Sequence, residues 1–511
     1  MPPRWTRLPY REDIISTSLR VRGLSADAVV ACCLCGLAVY FAWDLLRDGT
    51  IVGMDTGAAF YPWFSFLGER LLSGHLPLWN PHQFSGTPFA ADPESGWSYF
   101  AAMLLFTFLP LGAAANAYLF THILLAGLGV YALARSLMMR PGGALVAAIA
   151  YSYSGFFFGH NLCCFAYASV AAWLPFCLLG AEFATHAETW RARAVGWGVA
   201  GLALSQILAM WLGQGAYYAL LVVGAYVVYR TLFAPKSNLQ RRLASMAIHG
   251  AAVLLVGFGL SSAGLFPRLE YNALTNLPGG YPPPSPPVAH PGPLDWGIIE
   301  DWQTRLLEPG FHYLGWAVLA LALLAPFVAR ARMAVPFFAA TAVAVLVLAR
   351  FEPTPLHALL GLLPGFERTH AHAPERALIV FFLAPALLAG ASASCLAPRR
   401  LWPGVVASGL IVLLVLVDLR LAWRTQYADA LVATGAYDLK PMDLEYYYAP
   451  GSAGRFLRSV QDPAAFRYVS YASHVFGGPI PYTLGWWNPK IVALEVNNRG
   501  LVSGLHDVQG Y

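Results

Sequence analysis

Long apolar stretches, recurring with few charges inside them, limit this chain to one architecture. They fall at roughly 25–46, 114–137, 143–159, 162–183, 194–212, 214–232, 246–266, 311–329, 333–349, 376–396 and 402–420. A helical run near 20 residues crosses a hydrocarbon layer of about 30 Å, and inside lipid only a helix or a closed barrel satisfies its own backbone polar groups. Only 12% of the 511 residues are charged and 58% are hydrophobic, whereas soluble domains carry about 25% charged residues. An all-α polytopic membrane protein with about 11 transmembrane helices is expected, which excludes a soluble enzyme and leaves no role for nucleic acid as a partner.

Residues 97–110 (WSYFAAMLLFTFLP) are also apolar but short for a span. The basic residues decide their fate. With the N-terminus in the cytoplasm and 97–110 lying in the interface, the inside segments hold 17 Lys and Arg and the outside loops hold seven. A crossing at 97–110 would swap every later loop and erase that bias, so the positive-inside rule favours an N-terminus inside and a C-terminus outside. Only three of the 32 basic residues are lysine (Lys236, Lys440, Lys490), the mark of a GC-rich bacterial coding sequence. The expected location is therefore the bacterial cytoplasmic membrane.

The predicted organisation is a cytoplasmic tail over 1–24, a transmembrane domain over 25–420 and an extracytoplasmic α/β segment over 421–511. The tail carries five arginines and precedes the first apolar run, unlike a cleavable signal peptide. Three outer loops are long: 47–113, 267–310 and 350–375. The second contains eight prolines within 278–293 and is expected to be extended. In the last segment, 466–471 and 491–496 alternate as strands do, and the stop at Gly510-Tyr511 reads as a truncation. All seven cysteines lie in apolar runs, where they behave as small apolar residues, with no disulfide pair or zinc set expected.

The long polar stretch 51–97 concentrates candidate chemistry. Asp55 follows the first span closely enough to sit at the interface, as a cation ligand or a general base towards a hydroxyl, or else as a helix cap beside Thr56 and Gly57. Phe60, Trp63, Phe64, Leu67 and Leu71 share one helical face, which rests either on lipid or on the bundle. Trp79 and Asn80 stand in a rigid Pro-bracketed turn region, and Asp92 with Glu94 forms a second acidic group. His160, Asn161, Gln214, Glu308 and His312 fall at outer helix ends, where polar groups line a sugar or phosphate pocket or simply finish a helix. Arg368 and Arg376 flank His370 and His372. An arginine fork at an outer helix end suits a phosphate, and two histidines without a third ligand make a weak metal site.

The segments Leu76-Pro77-Leu78-Trp79-Asn80-Pro81, Phe84-x-Gly86-x-Pro88, Tyr118 to Gly129, Tyr151 to Phe156, Trp173-Leu174-Pro175, Pro364-Gly365-Phe366 and Pro374-Glu375-Arg376 resemble those of the YfhO-like bacterial membrane proteins. The resemblance runs over most of 50–400 and recurs at 504–511. It implies a fold similar to the C-type (GT-C) glycosyltransferases, which take polyprenyl-phosphate sugars as donors on the outer face. On that basis Asp55 would be catalytic or would bind a divalent cation such as Mg or Mn. Arg376, backed by Arg368, would hold donor phosphate. The implied function is transfer of a sugar, with inversion, to a glycolipid, wall polymer or other acceptor amid membrane lipids. A lipid-linked sugar flippase and a non-catalytic envelope assembly protein are the alternatives. The departures are an outer domain that stops short of the family's and the unmatched His370 and His372.

Overall fold

The computed structural model describes residues 17–47, 50–233, 238–275, 306–350, 353–371, 373–398, 400–432, 439–460, 462, 465–469, 492–496 and 498–509. The proline-rich stretch 278–293, His372, much of both expected tail strands and Gly510-Tyr511 lie outside the described residues.

Helices stand at all eleven expected positions. They are α1 (Thr17–Arg47), then, after the loop helices α2 (Tyr61–Leu72) and α3 (Phe100–Phe108), α4 (Leu111–Ser136) and the pair α5 (Pro141–Ser152) and α6 (Gly155–Cys163). Next come α7 (Phe165–His186), α8 (Trp190–Met210), α9 (Gln214–Leu232), α10 (Leu239–Leu274), α11 (Trp316–Val328) and α12 (Val335–Leu348). Two short helices, α13 (Pro355–Leu360) and α14 (Phe366–Ala371), lead through a 3-10 turn at Pro374–Val380 into α15 (Leu383–Leu396), and α16 (Leu401–Val432) closes the bundle.

Among the described residues, eight helical segments are long and apolar enough to cross a membrane, and nine if the α5–α6 pair, bent by 42°, counts as one. This is a multi-pass membrane protein, but the number of spans differs from expectation. α11 and α12 have 13 and 14 residues, about 20 Å of helix at 1.5 Å per residue, short of a full crossing. The bend in the pair has a local cause. Gly155 N–H leaves the α5 ladder and donates to Tyr313 O at 2.8 Å, and a Cβ on Gly155 would lie 2.1 Å from Gly310 O. Only glycine lets those backbones meet.

The helix connections sort to two ends. One end gathers the 48–110 loop, the α6–α7, α8–α9 and α12–α15 connections and the tail; it is called the loop face below. The other carries the short α4–α5, α7–α8, α11–α12 and α15–α16 links. In α2 the aromatic stripe packs on the bundle: Trp63, Phe64 and Leu67 are buried, and Phe64 meets Phe106, Tyr118 and Phe165 at 5.1–6.0 Å between ring centroids. α3 spans nine residues, too few to cross, as expected of 97–110.

The tail docks on the first loop. β2 (Lys440–Met442) pairs antiparallel with β1 (Thr50–Val52) of the first loop. It is followed by α17 (Leu444–Tyr448), α18 (Ser452–Val460) and α19 (Arg499–Ser503). Of the two expected strands, Tyr468 makes a single bridge to Asp507, while 492–496 forms a turn. That turn buries the Glu495 carboxylate, which accepts from Gly451 N–H at 2.6 Å. The alternation in 491–496 thus reflects docking rather than a ladder. The tail instead grips the start of α2. Thr56–Phe60 is a π-helical turn, and its carbonyls at Gly57 and Ala58 accept from Tyr448 Oη (2.5 Å) and Asn498 Nδ2 (2.8 Å). Such widened turns recur at functional sites.

Candidate functional site

Asp55 sits in the turn that opens this π-helical segment, and its carboxylate makes no cap bond. The turn is tied to the end of α6: Gly53 N–H and the Thr56 hydroxyl both donate to Leu162 O, at 3.2 and 3.0 Å. That places Cys164 Sγ 3.6 Å from Asp55 Oδ2. Cys163 and Cys164 form a disulfide between chain neighbours, contrary to the expectation that every cysteine is apolar filler.

A second acidic group arrives from 92–97. Asp92 Oδ1 accepts from Glu94 N–H at 2.8 Å, and Asp92 O accepts from the Ser95 hydroxyl at 3.1 Å. Gly96 turns the chain at φ +77°, where a Cβ would lie 2.5 Å from the Phe64 ring. Arg268 holds this turn. Its buried guanidinium donates only to carbonyls: Nε to Asp92 O (3.1 Å), Nη1 to Leu208 O and Ala209 O (3.0 and 2.6 Å), and Nη2 to Trp97 O (3.1 Å). The acids, α8 and α10 are thereby locked together.

Asp92 and Glu94 are half-buried. Burial, then the negative charges of Asp92 and Asp55, push Glu94 up to about 7, against the pull of Arg376 and Arg268. Burial likewise raises Asp92. Mutual repulsion is how a cluster of carboxylates shifts in this direction. It also establishes that Asp55, Asp92 and Glu94 share one electrostatic neighbourhood with Arg376.

Arg376 is held without an acid against it. Its Nη1 donates to Gln214 Oε1 at 2.9 Å, and Gln214 Nε2 donates to Ala373 O at 3.1 Å. The guanidinium carbon lies 5.7 Å from the Tyr167 ring and 5.8 Å from the Trp211 ring, which stack on each other at 5.0 Å. Tyr167 leads on to His160 at 5.1 Å, and His160 to His312 at 5.6 Å. Glu375 Oε2 is buried with no hydrogen-bond partner.

Asp55, Asp92, Arg376, Gln214, His160 and His312 therefore converge. Other candidates stand elsewhere. Asn80 is fully buried in its own hairpin, donating to Gln83 Oε1 (3.1 Å) and accepting from His82 N–H (2.9 Å), and Trp79 is an exposed ring covering Gly86. Asn161 Nδ2 donates to Leu119 O at 2.9 Å. Arg368 and Glu308 are exposed. His370 is buried on Phe366, bonded through Nδ1 to Tyr218 Oη at 2.9 Å and 4.9 Å from the His357 ring, so burial and His357 lower it to about 4. Sequence reasoning missed Arg268, Tyr167 and Trp211. Arg268 carried one signal, a basic residue that follows a 25-residue uncharged stretch of its helix (243–267) and is expensive there unless it has a task.

No family profile matches this chain, and no curated protein matches it. Solved structures do. The oligosaccharyltransferase AglB from Archaeoglobus fulgidus, in complex with an inhibitory peptide and a dolichol-phosphate, superposes with a TM-score of 0.52 at 13% identity over 97% of this chain. An apo A. fulgidus oligosaccharyltransferase gives 0.55 at 14% identity over 97%. The arabinofuranosyltransferase AftD from Mycobacteria gives 0.52 at 15% identity over 87%. The fold is GT-C-like. This chain spans 65% of each archaeal protein and 30% of the mycobacterial one. At these identities the likeness is one of fold, and the candidate site is read from its own residues.

Proposed function

We propose that the protein is a membrane glycosyltransferase that moves a sugar from a polyprenyl-phosphate donor to a lipid, polymer or other acceptor on the extracytoplasmic face of the bacterial cytoplasmic membrane. One observation carries this: three carboxylates and an arginine held by neutral groups share one electrostatic neighbourhood at the loop face of a GT-C-like bundle. The Leu76–Pro81 motif and its companions support placing the chain among YfhO-like proteins, with the loop face outside.

In an inverting displacement, the acceptor oxygen bonds to the sugar's anomeric carbon as the carbon–oxygen bond to phosphate breaks. The acceptor proton passes to a base, and polyprenyl phosphate departs. Asp55 is assigned as that base or as a cation ligand. Arg376, oriented by Gln214 and braced on Tyr167 and Trp211, is assigned to the donor phosphate, whose oxygens match its planar fork. Arg268 is a positioning residue for the acidic turn. A carboxylate at Asp55, with the charges of Asp92 and Glu94 nearby, suits a hard divalent cation. Asp55 would hold it, and it would supply charge neutralisation for the leaving phosphate.

Mass spectrometry of envelope lipids tests the reading. A deletion strain is expected to lose a glycosylated species that wild-type protein restores and Asp55→Asn does not. Full restoration by Asp55→Asn would overturn the assignment.

A further inference from the structure

A cavity lies at the end of the bundle opposite Asp55 and Arg376. Its volume is about 1140 Å³, and it is walled by the ends of α4, α7, α9, α11, α12 and α15. Three arginines face it. Arg230 is committed, with Nη2 donating to Glu182 Oε1 at 2.7 Å. Arg140 spends Nη1 on Ala397 O and Pro398 O, at 2.7 and 3.2 Å, which leaves the rest of its fork available. Arg332 is exposed, and its side chain has no partner among the described residues. It sits in a turn where Arg330, Met333 and Ala334 all hold left-handed φ of 53–54°. Non-glycine residues in that region cost energy and persist where surrounding structure enforces them. At the same cavity, Phe183 is 57% and Leu396 46% exposed.

We propose that this cavity binds the phosphate headgroup of an anionic membrane phospholipid. Arg140 and Arg332 supply the charge, and the exposed Phe183 and Leu396 meet the acyl chains. Basic pockets between membrane helices recognise acidic headgroups in this way. The space is far larger than inorganic phosphate needs, and apolar rims would gain nothing from a free ion.

The test titrates the whole purified protein in detergent with phosphatidylglycerol, phosphatidylcholine of matched chains, or inorganic phosphate, and reads the thermal midpoint. Phosphatidylglycerol is expected to stabilise at about twentyfold lower concentration than phosphatidylcholine. Arg332→Ala should reduce that preference about fivefold, and Arg140→Ala with Arg332→Ala should abolish it, following the contribution of each cation near a headgroup. Arg455→Ala, in the tail at the other end, should leave it intact. The exposed Arg332 single variant keeps the test readable if the double variant folds poorly. Equal potency of the two lipids, a preference undiminished in Arg332→Ala, or full stabilisation by inorganic phosphate would each overturn the proposal.

Discussion

The two ends of the bundle treat charge in opposite ways. Towards the end away from the loops, Glu182 and Arg230 form a closed pair, with Arg230 Nε 2.6 Å from Glu182 Oε2 and Tyr226 Oη donating to the same carboxylate at 2.6 Å. Asp27 and Arg135 close similarly, at 2.9 Å, with Tyr131 Oη on Asp27 at 2.5 Å. At the loop face, Arg376 rests on an amide and two aromatic rings, while Asp55, Asp92 and Glu94 repel one another. A closed pair satisfies itself and holds helices together. A cation braced by neutral groups beside crowded carboxylates keeps its charge for something that arrives. On the proposed reading, the contrast separates structural from functional charge more sharply than exposure does, because both sets are partly or fully buried.

The largest effect expected from breaking this contrast is at Asp55. Asp55→Asn should lower sugar transfer by about 10²–10⁴-fold, the usual range for a positioned acid or base, with little change in thermal midpoint. A loss of folded protein in place of lost rate would move Asp55 into the structural class. Arg230→Ala should behave in reverse. Leaving Glu182 buried without its partner should cost about 3 kcal/mol or more of stability, read as a lower midpoint in detergent, with turnover per folded molecule unchanged. Arg376→Lys keeps the charge and loses the fork, so donor KM should rise by about tenfold with a smaller change in kcat, measured in a donor titration.

The smallest effect concerns pH. The folded value of about 7 for Glu94 lies above its ordinary value of 4.5, so ionising Glu94 costs folding energy. The stability it withholds is absent below pH 4.5 and grows as pH rises through 7. Glu94→Gln should therefore raise the midpoint at pH 8 by an amount on the order of 1 kcal/mol and leave it unchanged at pH 4. If ionised Glu94 serves the reaction, wild-type activity should also fall as pH drops through 7, and that limb should vanish in the variant.

Much of this was legible in the residues, and the rest was hidden for physical reasons. Apolar runs placed every bundle helix, because lipid requires them, and the isolated acid at 55 and the arginine at 376 stood out against that background. The bend between α5 and α6 and the shortness of α11 and α12 were not legible, since hydropathy reports composition rather than where a backbone leaves its ladder. Arg268 was hidden because all its partners are carbonyls of distant helices. The tail misled most. Alternation in 491–496 suggested a strand, whereas the pattern serves a turn built round buried Glu495, 3.8 Å from Arg499. Asn80 and Trp79 were conspicuous for a hairpin's own needs.

The most direct measurement places wild-type protein and Asp55→Asn in vesicles with a polyprenyl-phosphate sugar labelled in the sugar, plus an envelope lipid extract as acceptor. It asks whether the bond between sugar and phosphate breaks. The predicted result is transfer of label off the lipid phosphate by wild type and almost none by Asp55→Asn. Label that crosses the bilayer still joined to its lipid phosphate, or equal cleavage by both proteins, would contradict a transferase centred on Asp55.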